Sequence, residues 1–366
     1  MKLKEIITAL EEFTPPALQE SYDNAGLITG NTEMEIAEAM LCLDATEEVV
    51  DEAIQTGCNL VIAHHPIIFS GLKKITGSNY VERTIIKAIQ KDVAIYAAHT
   101  NLDSVQAGVN KKICEKLQLR NTRILLPLKG KLMKLFTFVP HAHALKVREA
   151  LFDAGAGTIG DYDECSFNSE GYGTFRGNEQ TNPFAGEKGI QHREDETKIE
   201  MIFPSGLQHK IVSALQENHP YEEVAYDLVA LSNEWSTTGA GMIGKLEHPM
   251  NSTDFLAFLK EKMNSQTIRY TKPETRELKL ETIAVCGGSG SFLLNEAIRA
   301  GAHAFVSADF KYHQFFDAEG KIMICDIGHY ESEQFTPEIF AELLRRKFPT
   351  FVTHYTSVNT NPINYY

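Results

Sequence analysis

Short apolar segments of strand length alternate with amphipathic helical segments near the start of the chain, and this alternation restricts the fold most strongly. The strand patterns cover residues 39–43, 60–63 and 93–98, and helical patterns cover residues 46–55 and 81–90. Apolar strands separated by helices are typical of a parallel sheet whose two faces are both covered. We therefore predict a mainly parallel sheet with helices on both sides for this part of the chain.

The end of the chain repeats the same pattern. Apolar strand patterns cover residues 282–286, 304–307 and 322–325, and a helical pattern with Pro337 in its first turn covers residues 336–346. Proline is favoured at the first position of a helix, so this start is well defined. The C-terminal segment is therefore predicted to form α/β structure of the same kind.

The middle of the chain differs from both ends. It contains a strand and a helix, then strands and turns rich in Gly and aromatic residues, and finally a strand, a helix and a strand. This order is typical of a split βαβ, or ferredoxin-like, α+β unit. We predict an α/β protein in which residues 127–240 are inserted into a discontinuous domain of residues 1–126 and 241–366. Three consecutive domains are the alternative.

Charge and composition exclude several function classes. The 366 residues, enough for two or three domains, include 35 Lys and Arg against 49 Asp and Glu, and the formal net charge is −14. An acidic chain is poorly suited to binding a phosphate backbone, so we do not expect a nucleic-acid partner. The apolar runs fall far short of the ~20 residues that a membrane-spanning helix needs, and the N-terminus lacks a signal-peptide core. We expect a cytoplasmic protein with no membrane partner.

Polar residues follow the predicted strands at the points where the strands end. Asp44 follows the first strand, His64 and His65 end the second, and His99 and Asp103 follow the third. In open α/β sheets the ligand site lies beyond the carboxyl ends of the strands. The C-terminal segment supplies complementary polar residues after its own strands, which favours an inserted domain over three consecutive ones.

Two pairs of polar residues near the predicted strand ends have the spacing of metal ligands. A single buried histidine is commonly a satisfied core residue, but His64 and His65 are adjacent at a strand exit that Pro66 turns. His329 and Glu333 are four residues apart, so a helix would place both on one face. The alternative for the second pair is an ordinary solvated helical turn.

Together, three imidazoles and two carboxylates form a candidate dinuclear metal site: His64, His65, Asp103, His329 and Glu333. Two divalent ions and two carboxylates leave a charge of +2, which would attract hydroxide, phosphate or an anionic substrate. Mixed His and carboxylate ligands suit Zn, Mn, Fe, Co or Ni and do not choose among them. Two-metal sites of this kind typically activate water and bind phosphoryl or carbonyl oxygens.

Four further features have weaker interpretations. His99 and Asp44 are candidates for orienting ligands or transferring protons, and the alternative for His99 is a structural hydrogen bond that holds the loop carrying Asp103. The Gly-rich residues 287–290 are predicted to form a tight turn near the site, with a phosphate cradle as the second interpretation. Residues 23–27 are predicted to be simply a polar turn.

Four separated motifs resemble the Nif-three-like dinuclear-metal family, whose members are also labelled GTP cyclohydrolase I type 2 homologues. They are residues 23–27, 64–69, 99–103 and 328–333. The resemblance implies the same five metal ligands, with Glu333 bridging both ions. It also implies a toroidal homohexamer whose metal sites face the interior. The middle segment is similar to that of longer bacterial members, which carry an inserted domain like the PII/CutA fold.

Two classes of function remain open. One is a metal-dependent hydrolase that acts on a nucleotide or another phosphate-containing substrate. The other is a non-catalytic, metal-binding regulatory hexamer whose inserted domain senses a small ligand. A ring that threads nucleic acid is disfavoured by the charge of −14.

Overall fold

The computed structural model of the protein describes residues 1–272 and 279–366. These residues form two compact units. The first unit is discontinuous and comprises Met1–Leu126 and Thr237–Tyr366, and the second unit is Pro127–Ser236. Among the described residues, no helix combines the length and the apolar character that crossing a bilayer requires.

Strands and helices alternate in the N-terminal part of the first unit, as the sequence predicts. The helices are α1 (Leu3–Phe13), α2 (Glu47–Thr56), α3 (Tyr80–Gln90), α4 (Thr100–Ser104) and α5 (Val109–Lys116). The strands are β1 (Gly26–Thr29), β2 (Glu38–Asp44), β3 (Leu60–His65), β4 (Ala94–Ala97) and β5 (Arg120–Lys129). Local sequence explains the ends of α2: the Thr46 hydroxyl accepts a hydrogen bond from the Val49 amide, and Gly57 ends the helix with φ of 84°.

The remaining elements follow in chain order. The second unit contains β6 (Leu132–Pro140), α6 (Ala144–Asp153), β7 (Phe167–Phe175), β8 (His192–Pro204), α7 (Gln208–Asn218) and β9 (Tyr226–Leu231). The C-terminal part contains β10 (Glu234–Met250), α8 (Ser252–Lys262), β11 (Arg269–Tyr270), β12 (Leu280–Ser289), α9 (Leu294–Arg299), β13 (Ala304–Ala308), β14 (Met323–Asp326), α10 (His329–Glu333), α11 (Thr336–Lys347) and β15 (Val352–Tyr355). Short 3-10 helices lie at Pro16–Leu18, His141–His143, Ser205–Leu207, Ser291–Leu293 and Tyr312–Ala318.

One sheet of the first unit has the strand order β1-β4-β3-β2-β15. Strands β15, β2, β3 and β4 are parallel, and β1 pairs with β4 in the antiparallel direction at one edge. The register places Asp44 opposite His65, so the ends of β2 and β3 lie side by side. This sheet is mainly parallel, as predicted.

The other sheet of this unit is mixed. Its strand order is β11-β14-β13-β12-β10-β5, with a parallel centre of β12, β13 and β14 and antiparallel pairing of β10 and β11 with their inner neighbours. The sequence does not predict β10 and β11. Strand β11 has two residues, and β10 contains glycines, which are depleted in strands.

A shared core lies between the two sheets. Leu41 of β2 and Val285 of β12 belong to the same buried cluster, together with residues of α1, α5, α8 and α11. The next residue of each strand points away from that core: Cys42 packs on the side of α2 and α3, and Cys286 on the side of α9. Helices therefore cover both faces of both sheets. The ends of the strands are the places where side chains can form a site.

The second unit is a four-stranded antiparallel sheet with two helices. Its strand order is β7-β8-β6-β9, and all neighbouring strands are antiparallel. Leu135, Ile199 and Phe203 of the sheet pack against Val147 of α6 and Ile211 of α7 in one apolar core. The alternate residues of these strands face the opposite side of the sheet.

Candidate metal centre

The five predicted ligands are brought together at the strand ends of the first unit. His64 and His65 end β3, and Asp103 lies on α4 just after β4. His329 and Glu333 begin and end α10, so the predicted helical pair is confirmed. The cluster thus combines residues from both halves of a discontinuous unit.

Two groups of donor atoms meet at the Glu333 carboxylate. In the first group, Nε2 of His65 and Nε2 of His329 each lie 3.1 Å from Oε2 of Glu333, and the two nitrogens are 3.4 Å apart. In the second group, Nε2 of His64 lies 3.8 Å from the same oxygen and 3.6 Å from Oδ1 of Asp103. Each group could hold a metal ion, and Glu333 is common to both.

The spacing of these atoms is close to that of ligands that share a metal ion, and the two contacts of His64 are too long for hydrogen bonds. Nitrogen and oxygen ligands about 2.1 Å from one ion lie about 3.0–3.4 Å apart in octahedral or tetrahedral geometry. The contacts among His64, His65, Asp103, His329 and Glu333 fall at 3.1–3.8 Å. Nε2 of His64 and Oδ1 of Asp103 are also buried without a hydrogen-bond partner among the described residues. A buried, unpaired polar atom is costly, so these two atoms need a partner such as a cation.

A separate cluster of possible ligand residues, outside this centre, shows the contrast. Glu38, Cys58 and His354 also bring one donor atom each within 4.8 Å of the others. Here, however, Nε2 of His354 lies 2.6 Å from Oε2 of Glu38, which is a closed hydrogen-bonded pair. The sequence did not suggest this cluster because its members lie at the starts of strands or on the C-terminal strand.

Two aspartates fix the orientation of the histidine rings. Nδ1 of His65 lies 2.7 Å from Oδ1 of Asp44, and Nδ1 of His329 lies 2.6 Å from Oδ2 of Asp309. Each ring therefore donates its Nδ1 hydrogen to a carboxylate and turns Nε2 toward Glu333, the arrangement usual for metal-binding histidines. The sequence predicts such a role for Asp44, whereas Asp309 has only a position after strand β13 to indicate it.

His99 is held by a residue that sequence reasoning missed. Its Nδ1 lies 2.8 Å from Oδ1 of Asp23, and the other oxygen of Asp23 accepts hydrogen bonds from the amide and hydroxyl of Thr100. Residues 23–27 are therefore more than a polar turn. The four-motif resemblance contained Asp23, but no local pattern could connect it to a histidine 76 positions away.

His99 lies next to the candidate ligands. One donor nitrogen each of His64, His65 and His99 lie within 4.8 Å of one another. The His99 carbonyl also accepts hydrogen bonds from the amides of Leu102 and Asp103, at the start of α4. Both predicted roles for His99, proton transfer and support of the loop carrying Asp103, are compatible with this position.

The Gly-rich end of β12 packs directly against the cluster. Gly288 has φ of +58°, and a Cβ at this position would lie 2.5 Å from Oε1 of Glu333. The Gly288 amide donates to the hydroxyl of Ser332, and the Gly287 amide donates to Oδ1 of Asn110. Gly287, Gly288 and Ser289 are part of strand β12, so the predicted tight turn at residues 287–290 is wrong, and the pairing with β13 instead shifts register between Val285 and Ser289. Since the amides of Gly287 and Gly288 already have partners, these two groups are not free to bind phosphate.

The buried carboxylates of the centre favour positive charge close to them. Burial opposes ionisation of Glu333, but the nearby nitrogens of His329, His64 and His65 outweigh burial and hold its pKa well below the usual range. Burial and the negative charge of Glu333 raise the pKa of Asp103. Hydrogen bonds and charges from carboxylates overcome burial and raise the pKa of His65 to about 9 and that of His329 to about 11. The carboxylates thus stabilise cations in this cluster, which protons or metal ions can supply.

The cluster opens into a cavity of about 450 Å³. His65, His99, Asp103, His329 and Glu333 line one part of it, and Tyr22, Phe69 and Phe292 line another. This volume is within the range of small-molecule sites, which is about 300–1,000 Å³. The cavity therefore gives a small ligand access to the candidate ligands.

Comparison with known proteins places this arrangement in a recognised group. The sequence profile of the Duf34/NIF3 (NGG1p interacting factor 3) family matches residues 1–362. A Halalkalibacterium halodurans protein named "GTP cyclohydrolase 1 type 2 homolog" is 41% identical over 367 residues, which is 98% of each chain. A Bacillus subtilis protein of the same name is 38% identical, covering 89% of this chain and 88% of its own. The crystal structure of a Bacillus cereus protein related to NIF3 matches with a TM-score of 0.86 and 38% identity over 100% of this chain and 99% of that chain.

Proposed function

The chain belongs to the Duf34/NIF3 family, and from this premise we propose that its first unit binds two divalent metal ions and acts as a metal-dependent hydrolase. The substrate is a nucleotide or another phosphate-containing molecule. The observation that carries the proposal is the position of the Glu333 carboxylate, which belongs to two separate groups of donor atoms.

The ligands divide into two sets. His64 and Asp103 would hold one ion, His65 and His329 would hold the other, and Glu333 would serve both. The unpartnered atoms of His64 and Asp103 and the spacing of 3.1–3.8 Å support this assignment. Zn, Mn, Fe, Co and Ni all suit such a ligand set.

When bound, two metal ions of this kind generate a water nucleophile near neutral pH and stabilise negative charge on the substrate. The chain itself supplies orientation and proton transfer. Asp44 and Asp309 hold His65 and His329 in one tautomer, which keeps both Nε2 atoms directed at the centre. Asp23 holds His99 in the same way, so His99 can present its other nitrogen to the cavity and move a proton there.

The ionisation of Asp23 suits this role. Burial alone would raise the pKa of Asp23, but hydrogen bonds from His99 and Thr100 lower it. A carboxylate that stays ionised fixes the His99 tautomer over the physiological pH range. His99 is thus a candidate acid or base with a defined orientation.

Metal analysis of matched variants tests the centre. We expect two ions per chain in the metal-loaded protein and a loss of both ions in Glu333→Gln, because one carboxylate serves both sets. Glu331→Gln is the matched control, since Glu331 is buried on the same helix, α10, and is absent from the donor groups. One ion per chain in the loaded protein, or full occupancy in Glu333→Gln, would contradict the dinuclear assignment.

Turnover is tested with defined metals and a panel of nucleotides, phosphoesters and small amides. GTP belongs first in the panel because the curated relatives bear a GTP cyclohydrolase homologue name. His99→Ala is expected to retain both metals and lose about 10²–10⁴-fold in turnover, as is typical when a general acid or base is removed. Joint loss of metals and turnover would assign His99 a structural role instead.

The second candidate function is a non-catalytic, metal-binding regulatory assembly. A cavity of about 690 Å³ within the second unit favours it, because such a cavity gives the unit a place to sense a ligand. In this proposal residues 127–240 are an inserted ferredoxin-like domain of the PII/CutA type, and six chains form a toroid with the metal centres facing inward. Absence of metal-dependent turnover across the panel would favour this function, and a monomeric mass in solution would contradict the hexamer.

A further inference from the structure

The cavity in the second unit lies on the face of its sheet that the helices do not cover. Phe138 of β6 and Lys198 of β8 line it and pair in register, while Ile199, the next residue of β8, packs into the helical core. The segment 169–177 and the residues around Tyr221 form the other walls. The volume of about 690 Å³ is typical of small-molecule sites, which span about 300–1,000 Å³.

A buried carboxylate without a cationic partner lines this cavity. Glu196 is 7% exposed, and its Oε1 accepts a hydrogen bond of 2.7 Å from the Tyr221 hydroxyl. No hydrogen bond to Oε2 and no ion pair of Glu196 occurs among the described residues. An ionised carboxylate can accept about four hydrogen bonds, and burying it without a counter-charge is costly. Glu196 is therefore arranged to receive a charged donor from outside the chain.

The Glu196 side chain is held by a chain of polar contacts. Nε2 of His219 donates to the Phe138 carbonyl, and Nδ1 of His219 accepts from the Tyr221 amide. Burial lowers the pKa of His219, so its ring stays neutral and can donate one hydrogen bond and accept another. His219 thus fixes Tyr221, and Tyr221 fixes Glu196. This explains the motif at residues 219–226, which the metal centre does not use.

A glycine leaves room beside the free carboxylate oxygen. A Cβ at Gly173 of β7 would overlap Oε2 of Glu196. Gly173 has no positive φ, so the backbone itself accepts any residue there. The absence of a side chain keeps the strand close to the carboxylate without covering it from that side.

The remaining walls are aromatic and acidic. Phe175 and Phe184 pack against Tyr221, with ring centroids 5.9 and 6.1 Å away. Four carboxylates line the cavity against two cationic side chains, a net charge of −2, and one of the cations, Lys198, is already paired with Glu200 at 2.7 Å. Aromatic faces and carboxylates both attract cations.

We propose that this cavity binds a small organic cation, an amine, amidinium or guanidinium with an apolar or aromatic body, through the Glu196 carboxylate. The charged N–H groups donate to Oε2 of Glu196, and the body of the ligand packs against Phe138, Phe175 and Phe184. The negative charge of the walls distinguishes this site from the metal centre, which would attract anions once two divalent ions are bound. The proposal does not depend on the metal centre and can fail or succeed alone.

Calorimetric titration of the full-length protein with three isosteric probes tests the proposal. Benzamidine is cationic, benzamide is neutral, and benzoate is anionic, while all three present the same ring. We expect benzamidine to bind at least tenfold more tightly than benzamide, because a hydrogen bond between charged groups is stronger than one to a neutral donor. Benzoate is expected not to bind.

Three variants locate the interaction. Glu196→Gln should reduce benzamidine affinity at least tenfold, and Gly173→Ala should weaken it by crowding Oε2 without changing any charge. Asp195→Asn is the control, because it removes one carboxylate charge from the same strand at an exposed residue that lies on the alternate face and outside the cavity lining. This control should bind benzamidine within twofold of the unaltered protein. Near-ultraviolet circular dichroism and metal content check that each variant is folded.

Several outcomes would overturn the proposal. Equal affinity for benzamidine and benzamide, or no binding of either, would show that the charge of the ligand does not contribute to binding in this cavity. Unchanged benzamidine affinity in folded Glu196→Gln would place binding elsewhere. Tighter binding of benzoate than of benzamidine would make this an anion site. A change of oligomeric mass in Glu196→Gln without any probe binding would show that a second copy of the chain covers the cavity.

Discussion

Replacing Gly288 by alanine should damage the metal centre through packing alone, without removing a ligand or a charge. Gly288 has φ of +58°, and its added Cβ would lie 2.5 Å from Oε1 of Glu333 and 3.2 Å from Cε1 of His329. Ordinary contacts between such atoms are about 3.5 Å, so the Glu333 carboxylate must retreat by about 1 Å. That movement separates Glu333 from the histidines that share its other oxygen.

The backbone contribution can be separated from the packing contribution with a second glycine. Gly301 has φ of +74°, and its Cβ would meet nothing within 4 Å. Gly301→Ala should therefore lower the free energy of unfolding by about 1–2 kcal/mol, because alanine in a left-handed conformation is unfavourable by that amount. Gly288→Ala should lose at least this amount. It should also lose at least tenfold in metal affinity, the lower end of losses caused by disturbing the surroundings of metal ligands.

Two measurements check this prediction. Chemical denaturation of the metal-free variants, followed by circular dichroism, gives the two unfolding free energies. Titration against a competing chelator gives metal affinity in both. Equal stability loss and equal metal affinity in Gly288→Ala and Gly301→Ala would refute the inference that the close approach of β12 positions Glu333.

Three further predictions concern other parts of the fold. Asp309→Asn should retain the fold and lower metal affinity about 10–100-fold, because the His329 tautomer is no longer fixed, and chelator competition measures this loss. Hydrogen bonds from Thr76 and Ser78 lower the pKa of Glu82 to about 2, so its stabilising effect exists above its unfolded pKa and disappears as pH falls through about 2. The unfolding free energies of Glu82→Gln and the unaltered chain should therefore differ at neutral pH and converge in acid, as denaturation at several pH values would reveal. Joining Leu126 to Thr237 by a short linker should yield a folded, metal-binding first unit, since β5 and β10 are neighbours in one sheet, and insoluble or metal-free product from several linkers would count against it.

The sequence determined the local elements because their signals are local. Periodicity predicted α2, α3 and α11 nearly to their observed ends, and the residues Thr46 and Gly57 define the limits of α2 through hydrogen bonds made within a few positions. The sequence also predicted that His64, His65, Asp103, His329 and Glu333 would meet. Polar residues after apolar strands identify a sheet edge, and the carboxyl ends of parallel strands share that edge.

The tertiary structure alone decided which partners these residues have. Asp23 and His99 are 76 positions apart, and the contact of His65 with Glu333 spans 268 positions, so no local pattern specifies either pair. The antiparallel strands β10 and β11 depend on neighbours already in place, since their own residues favour strands weakly. The buried position of Glu196 likewise depends on Tyr221 and Gly173, which other elements bring to it. Periodicity and capping act over a few residues, whereas packing and the pairing of buried charges act between segments, and the whole fold must form before they exist.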